Sequence, residues 1–296
     1  MATRVLDAPK RDWTVVARHV IGRVLLYILL IVFAFIFVFP FYDMFIGSFM
    51  QDHELFSKTP RLWPVRGFDL TAYRQLFIEL KFGQSLLNSF YLAIGRTVGT
   101  LFFCSLAGFA FAKRHFPGRD KLFYLMLLTM MLPTQATLIP WYLLMTTVLK
   151  WTNTFWPMWV PSWAGAFGIF LMRQFIATSI PDEMLEAATI DGCSVFGSFI
   201  RVVLPLIMPG LSILGILTFV GGFNDFLGPL LILRDAKKMT APLALANFKG
   251  STVIAPRYSL MFAGSTLATL PLLIVFFAFQ KQIVSGIMSG AIKGGA

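Results

Sequence analysis

Charge is scarce along this chain. Asp, Glu, Lys and Arg make up 13% of its 296 residues, about half of what soluble domains carry. So few polar side chains cannot cover a water-soluble globule of this length, which excludes an ordinary soluble enzyme or binding module. Acid is the scarcer sign, with 14 Asp and Glu against 25 Lys and Arg. The histidines, His19, His53 and His115, are scattered and flank apolar runs, so no metal site is expected. The cysteines are two, Cys104 inside an apolar run and Cys193 in a polar segment, and their spacing suits neither a CxxC site nor a disulfide framework. The GxxxxGK[ST] nucleotide loop is absent, as are GxSxG and HExxH. The sequence therefore offers no residues for enzyme chemistry or for ATP binding of its own.

What the chain has instead is apolar length. Apolar types reach 57%, with 32 Phe and a mean hydropathy of +0.75. A spanning helix needs about 20 such residues. About six spans are expected, over 24–45, 86–112, 122–148, 155–175, 204–223 and 260–279, within a membrane domain covering 24–283. Residues 1–23 precede it and a tail, 284–296, follows. Pro40 is expected to kink the first span, and Pro133 and Pro140 fall inside the third, where neighbouring helices can re-satisfy the freed backbone groups. The first apolar run is too long for a cleavable signal. With the N-terminus in the cytoplasm, 13 basic residues fall inside and 11 outside, with Arg96 left within a span. Arg18, Arg23, Lys113 and Arg114 abut the first two spans, where charge counts most, so both termini are expected in the cytoplasm. The net charge of +11 is read as span-flanking charge that meets anionic lipid, not nucleic acid.

Between the fourth and fifth spans lies a polar segment, 179–205, with its own pattern. Pro181 suits a helix first turn, and Asp182 and Glu183 suit its positive dipole end. Met184, Leu185 and Ala188 form one apolar side, and Gly192 suits a helix stop. Ser194 then caps a second helix, in which Phe196, Phe199, Ile200 and Val203 recur at helical spacing. Pro205 and Pro209 mark the bend into the fifth span. Asp182, Glu183, Glu186 and Asp191 face only Arg173 and Arg201, so this cytoplasmic loop is acidic where such loops are normally basic. That points to a protein partner, with a solvated connector as the plainer alternative.

Glu186-Ala187-Ala188, followed by Asp191-Gly192 and then Leu204-Pro205, resembles the "EAA" loop of binding-protein-dependent ABC-importer permeases, with matching spacing throughout. Nearly the whole chain is similar to the second membrane subunit of the sugar-importing, maltose-type branch. Asn88-Ser89, the run Ala110–Arg114 with Phe116, Met130–Pro133, Phe223–Phe226 and Gly290–Gly294 add to the likeness. The resemblance implies an all-α polytopic permease with a MetI-like fold in the bacterial inner membrane. It implies a second permease subunit, two ATPase subunits that bind the ATP, an extracytoplasmic solute-binding protein and a carbohydrate cargo. In such importers the loop is a coupling helix that docks into a groove on the ATPase. Carried over, Glu186 is the polar anchor, Ala187 and Ala188 allow close approach, and Gly192 makes the turn. Two positions depart from the pattern: Cys193, where a small Ala is usual, and Phe223, where Trp is more usual.

Arg96 lies about ten residues into the second span, roughly 15 Å of helix rise. A charge there either faces a polar path or snorkels outward. Gln135 and Asn224 are further candidates for that path, or else interhelical hydrogen-bonding groups, while Asp43 and Asp225 read as interfacial. Gly95 and Gly99 form a GxxxG that permits close packing of helices. The rival function is a stand-alone secondary transporter or channel, which needs ionisable residues along an ion path and leaves the 179–205 pattern unexplained. A membrane-embedded enzyme needs a polar catalytic cluster that the sequence lacks.

Overall fold

The computed structural model describes residues 13–57, 62–65, 67–250 and 258–292. The expected N-terminal segment before residue 13, the tail from Lys293, and Lys58, Arg61, Arg66 and Arg257 of the charge count lie outside the described residues. The regular structure described is helical throughout. In chain order it comprises α1 (Trp13–Gly47), α2 (Phe82–Lys113), α3 (Arg119–Thr129), α4 (Thr134–Val148), α5 (Trp156–Trp163), α6 (Ala166–Ser179), α7 (Asp182–Ile190), α8 (Val195–Leu206), α9 (Met208–Phe223), α10 (Leu227–Ile232), α11 (Ala241–Gly250) and α12 (Tyr258–Ile292). Short helical turns at Asp52–Leu55 and Thr71–Arg74 lie between α1 and α2.

Among the described residues, three helices are long and apolar enough to cross a membrane alone: Val20–Gly47 of α1, all of α2, and Tyr258–Lys281 of α12. Counting each of three bent pairs as one span raises the number to as many as six. The bend is 100° between α3 and α4, 80° between α5–α6 and α7, and 80° between α8 and α9. Proline marks every one of these bends. Pro133 (φ −64°, ψ 131°) is the N-cap of α4, Pro181 (φ −63°, ψ 148°) is the N-cap of α7, and Pro209 sits in the first turn of α9. Proline has no N–H to continue a helix and pushes the preceding residue out of the α region. The run 122–148, expected as one span, is therefore two helices. α3 tightens into i→i−3 bonds at Met130, Met131 and Leu132, and Pro133 ends it. Pro140, by contrast, lies inside the second of the two. The fifth span likewise starts at Met208, because 204–206 belong to the transverse helix α8.

The inner helices pack around α2, which runs 32 residues without a proline or a break. Its glycines decide what can approach. Trp159 and Trp163, one turn apart on α5, lie over Gly95 and Gly99, where any Cβ would collide with an indole ring. Their Nε1 atoms donate to the Leu92 and Gly95 carbonyls, both at 3.0 Å. The GxxxG pair of the sequence is thus a seat for two tryptophans. Farther along, Gly108 meets the α6 backbone at Met172 and Arg173, and Gly222 of α9 lies against Ala93. The break between α5 and α6 frees carbonyls that α2 re-satisfies: Thr100 Oγ1 donates to Ser162 O (3.0 Å) and Cys104 Sγ to Trp163 O (3.2 Å). α1 stands outside this bundle, and its apolar window is unburied along its length.

The packing generates a test. Gly99→Val should displace Trp163 and cost about 1–3 kcal/mol of overpacking, read as a lowered unfolding midpoint in detergent. Gly221→Ala, where nothing lies within 4 Å of the added carbon, should leave the midpoint unchanged.

Candidate functional site

The segment 179–205 folds as its pattern predicts, and the local chemistry explains each turn. Asp182 and Glu183 occupy the first turn of α7 behind Pro181. The helix stops in a Schellman motif: Gly192 N–H donates to Thr189 O (3.0 Å) and Cys193 N–H to Ala188 O (2.9 Å). Gly192 sits at φ +80°, the left-handed region where a side chain is strained. Ser194 Oγ then accepts from Gly197 N–H (3.1 Å) and caps α8. A π-helical turn at Phe199–Val203 carries α8 into Leu204-Pro205.

The two short helices have distinct faces. Ile180, Leu185, Phe199, Val203 and Ile207 are buried, and they share one core with Cys104 and Phe109 of α2, Met172 and Ile176 of α6, and Leu211 and Leu214 of α9. The loop is therefore a continuation of the spanning core rather than a tether. Glu186, Ala187, Asp191 and Gly192 are exposed, together with Met184, Ile190 (86% exposed), Val195 and Phe196. Ala188 points inward at 7% exposure, so of the two alanines only Ala187 is on the open face. Leu204 is half-buried against the core and Pro205 is exposed. The expected apolar face of α8 divides, with Phe199 and Val203 inside and Phe196 and Ile200 outside.

Basic side chains from α2 and α6 surround the loop. Lys113 Nζ donates to Asp182 Oδ1 at 2.7 Å; the lysine side chain is 8% exposed and the aspartate 75%. Arg114 lies over Phe109 (5.2 Å) and Arg173 over Phe123 (4.3 Å), which fixes both guanidinium groups against aromatic rings. The turn from α2 to α3, through Pro117 and Gly118, encloses an open cavity of about 600 Å³ beside His115 and Arg119.

Near the middle of α2, Arg96 Nη1 meets Asp225 Oδ2 at 3.4 Å, with the side chains 30% and 21% exposed. Asp225 Oδ1 also accepts from Gly228 N–H (3.2 Å). This pair lines a cavity of about 310 Å³ with Trp141, Pro161, Ser162 and Gly228. Arg96 thus neither stands alone nor snorkels, and Asp225 is its partner rather than a free interfacial acid. The other two path candidates are not brought to this cavity: Gln135 is exposed in the first turn of α4, where Thr134 donates to it, and Asn224 is exposed beside Asp225. A lone charge within a span calls for a counter-charge, but nothing local in the sequence says that it is Asp225.

Three positions whose structural role the sequence does not announce order the loops around residues 153 and 234–241. Asn88 Nδ2 donates to the Lys237 and Met239 carbonyls (2.8 and 2.9 Å), and Ser89 Oγ accepts from Ala241 N–H (2.8 Å). Asn153, at φ +59°, accepts from Arg234 and Asp235 N–H. In the loop before α2, the Thr71 hydroxyl and amide hold the Asp69 carboxyl below the usual carboxylate range, and Gln51 donates to it as well. Among the described residues no group of His, Cys, Asp and Glu is placed to hold a metal, and both cysteines are free thiols.

Comparison with known proteins bears on this geometry. Residues 104–289 match the model of the family described as "Binding-protein-dependent transport system inner membrane component". The chain is 35% identical over 210 residues to the arabinooligosaccharides transport system permease protein AraQ of Bacillus subtilis, covering 70% of this chain and 72% of that one. It is 32% identical over 269 residues to the sn-glycerol-3-phosphate transport system permease protein UgpE of Pectobacterium atrosepticum, covering 88% and 94%. In fold it matches a chain from the crystal structure of a bacterial ABC transporter involved in the import of the acidic polysaccharide alginate, with a TM-score of 0.77 and 23% identity over 93% of this chain and 99% of that one.

Gly192→Ala puts a Cβ into the left-handed region, at a cost of about 1–2 kcal/mol. The Cys193 amide, which closes the Schellman turn, should then exchange roughly tenfold faster, while amides in the middle of α2 keep their protection.

Proposed function

We propose, from the premise that this chain belongs to the family of binding-protein-dependent transport system inner membrane components, that it is a permease subunit of an ATP-driven importer for a sugar or related carbohydrate. The relatives' names support the cargo class: one carries arabinooligosaccharides and another sn-glycerol-3-phosphate, both rich in hydroxyl groups. The chain acts with a second permease, two ATPase subunits and an extracytoplasmic solute-binding protein. ATP is bound by the ATPase subunits, consistent with a sequence that has no nucleotide loop. The termini and the 179–205 loop lie on the cytoplasmic side of the inner membrane.

The observation that carries this reading is the two-sidedness of α7 and α8. Their inner side is fused to the core of three spans, and their outer side leaves Glu186, Ala187, Ile190 and Phe196 exposed. A partner that pushes on the outer side moves the spans, because interiors at crystal-like density transmit displacement instead of absorbing it. Glu186 anchors the ATPase and Ala187 permits its approach, while Ala188 serves the internal packing. Asp191 and Gly192 shape the turn, and Leu204-Pro205 joins it to α9. ATP-driven closure of the ATPase pair thereby alternates access from one side of the membrane to the other. Arg96, with Asp225, contributes a polar wall to the path. Gln135 and Asn224 serve it from exposed positions that a second permease would cover.

Glu186→Lys should reduce ATPase co-purification with the chain at least tenfold while leaving membrane insertion intact; normal attachment and uptake would contradict the docking role. Ala187→Leu should weaken attachment without lowering stability. Ala188→Leu should instead lower the unfolding midpoint, since its side chain enters the core.

A further inference from the structure

Taking the coupling role of the loop as given, we propose that Lys113 is the positioning residue that ties the coupling helix to α2, and that α2 carries the loop's displacement to the Arg96–Asp225 contact. α2 ends on a lysine whose ammonium is held 2.7 Å from Asp182, and Asp182 is the first residue of α7. The lysine stem is almost fully covered, at 8% exposure, so the ammonium has one position rather than the many open to a surface lysine. The backbone at Asp182 is held as well: Pro181 fixes the residue before it, and Ile180 and Leu185 on its two sides are anchored in the core. The contact is therefore a fixed strut between a span end and the start of the helix that bears Glu186.

The span it joins is suited to carrying motion. α2 has no proline and no break, whereas α1 and α12 carry Pro40 and Pro271 and the bent pairs turn by 80° to 100°. Arg96 lies 17 residues before Lys113, which places the two ion pairs roughly 26 Å apart along one rigid helix. At that end the guanidinium meets Asp225, which follows the C-terminal end of α9. α9 itself starts at the far end of α8. Both ends of the coupling loop thus lead to the same outer contact, one through Lys113 and α2 and the other through α8 and α9. A shift of the loop that moves the two routes unequally changes the Arg96–Asp225 separation and the cavity that it walls.

The test uses the complete importer reconstituted in vesicles, with uptake and ATP hydrolysis measured together. Lys113→Glu and Asp182→Lys should each lower the number of solutes moved per ATP at least fivefold, with hydrolysis still running. The double exchange Lys113→Glu/Asp182→Lys should restore the ratio to within about twofold of the native importer. Lys121→Glu, an exposed charge in the first turn of α3, should leave it unchanged. If Lys113→Glu does not assemble, Lys113→Gln removes the charge without introducing the opposite one, and the same loss of solutes per ATP is expected. A native ratio in Lys113→Gln or Lys113→Glu overturns the proposal, and so does a double exchange no better than either single change. Glu186→Lys, run alongside, tests the underlying reading separately. If that variant is uncoupled while the Lys113 variants are native, the docking role stands and the strut fails. If Glu186→Lys is itself native, the docking role fails.

Discussion

The chain's architecture depends on one patch of packing, where side chains from the 179–207 segment enter the same core as the spanning helices. Ile180, Leu185, Phe199, Val203 and Ile207 come from the transverse segment and its ends, and Phe109, Met172, Ile176 and Leu211 come from α2, α6 and α9. Burying an aliphatic or aromatic side chain of this kind stabilises by about 1.5–3 kcal/mol. A force applied to the loop must therefore move the spans with it or break several such contacts at once. The exposed side of the same helices is free to bind, because the buried side already holds them in place.

The helix breaks follow from the same economy of residues. A membrane helix is normally continuous because an unpaired N–H or C=O in hydrocarbon is costly. Here prolines end the helices at 133, 181 and 209, and polar groups of α2 take up the carbonyls left open between α5 and α6. α2 itself is left unbroken, with glycines where neighbours must come close and ion pairs at its middle and at its C-terminal end. A proline-free helix amid spans that bend or carry proline is a simple way to combine deformable elements with a fixed reference.

Much of the 179–205 segment was legible in the sequence because its signals are local. The acidic first turn, the stop at Gly192 and the Ser194 cap each depend on residues within five positions of one another, and all three form. The spans were legible as composition, but their continuity was not: Pro133 and Pro140 look alike in sequence, and only Pro133 ends a helix. The long-range pairs were illegible for another reason. Arg96 and Asp225 are separated by 129 positions, Lys113 and Asp182 by 69, and Asn88 and Lys237 by 149. No periodicity links such residues; they meet because helices around α2 bring them together. The inward turn of Ala188 belongs to the same class, since the motif writes two equal alanines and only the packing distinguishes them.

The central claim is that the outer face of α7 is a cytoplasmic docking surface for a separate ATPase. Sided thiol labelling at Ile190 tests it most directly, because that side chain is 86% exposed at the crest of the loop. With Cys193 replaced by Ala, an Ile190→Cys chain alone should react with a membrane-impermeant maleimide only from the cytoplasmic face. Assembly with the ATPase subunits should then protect it. Reaction from the outer face, or full reactivity in the assembled importer, would contradict the account.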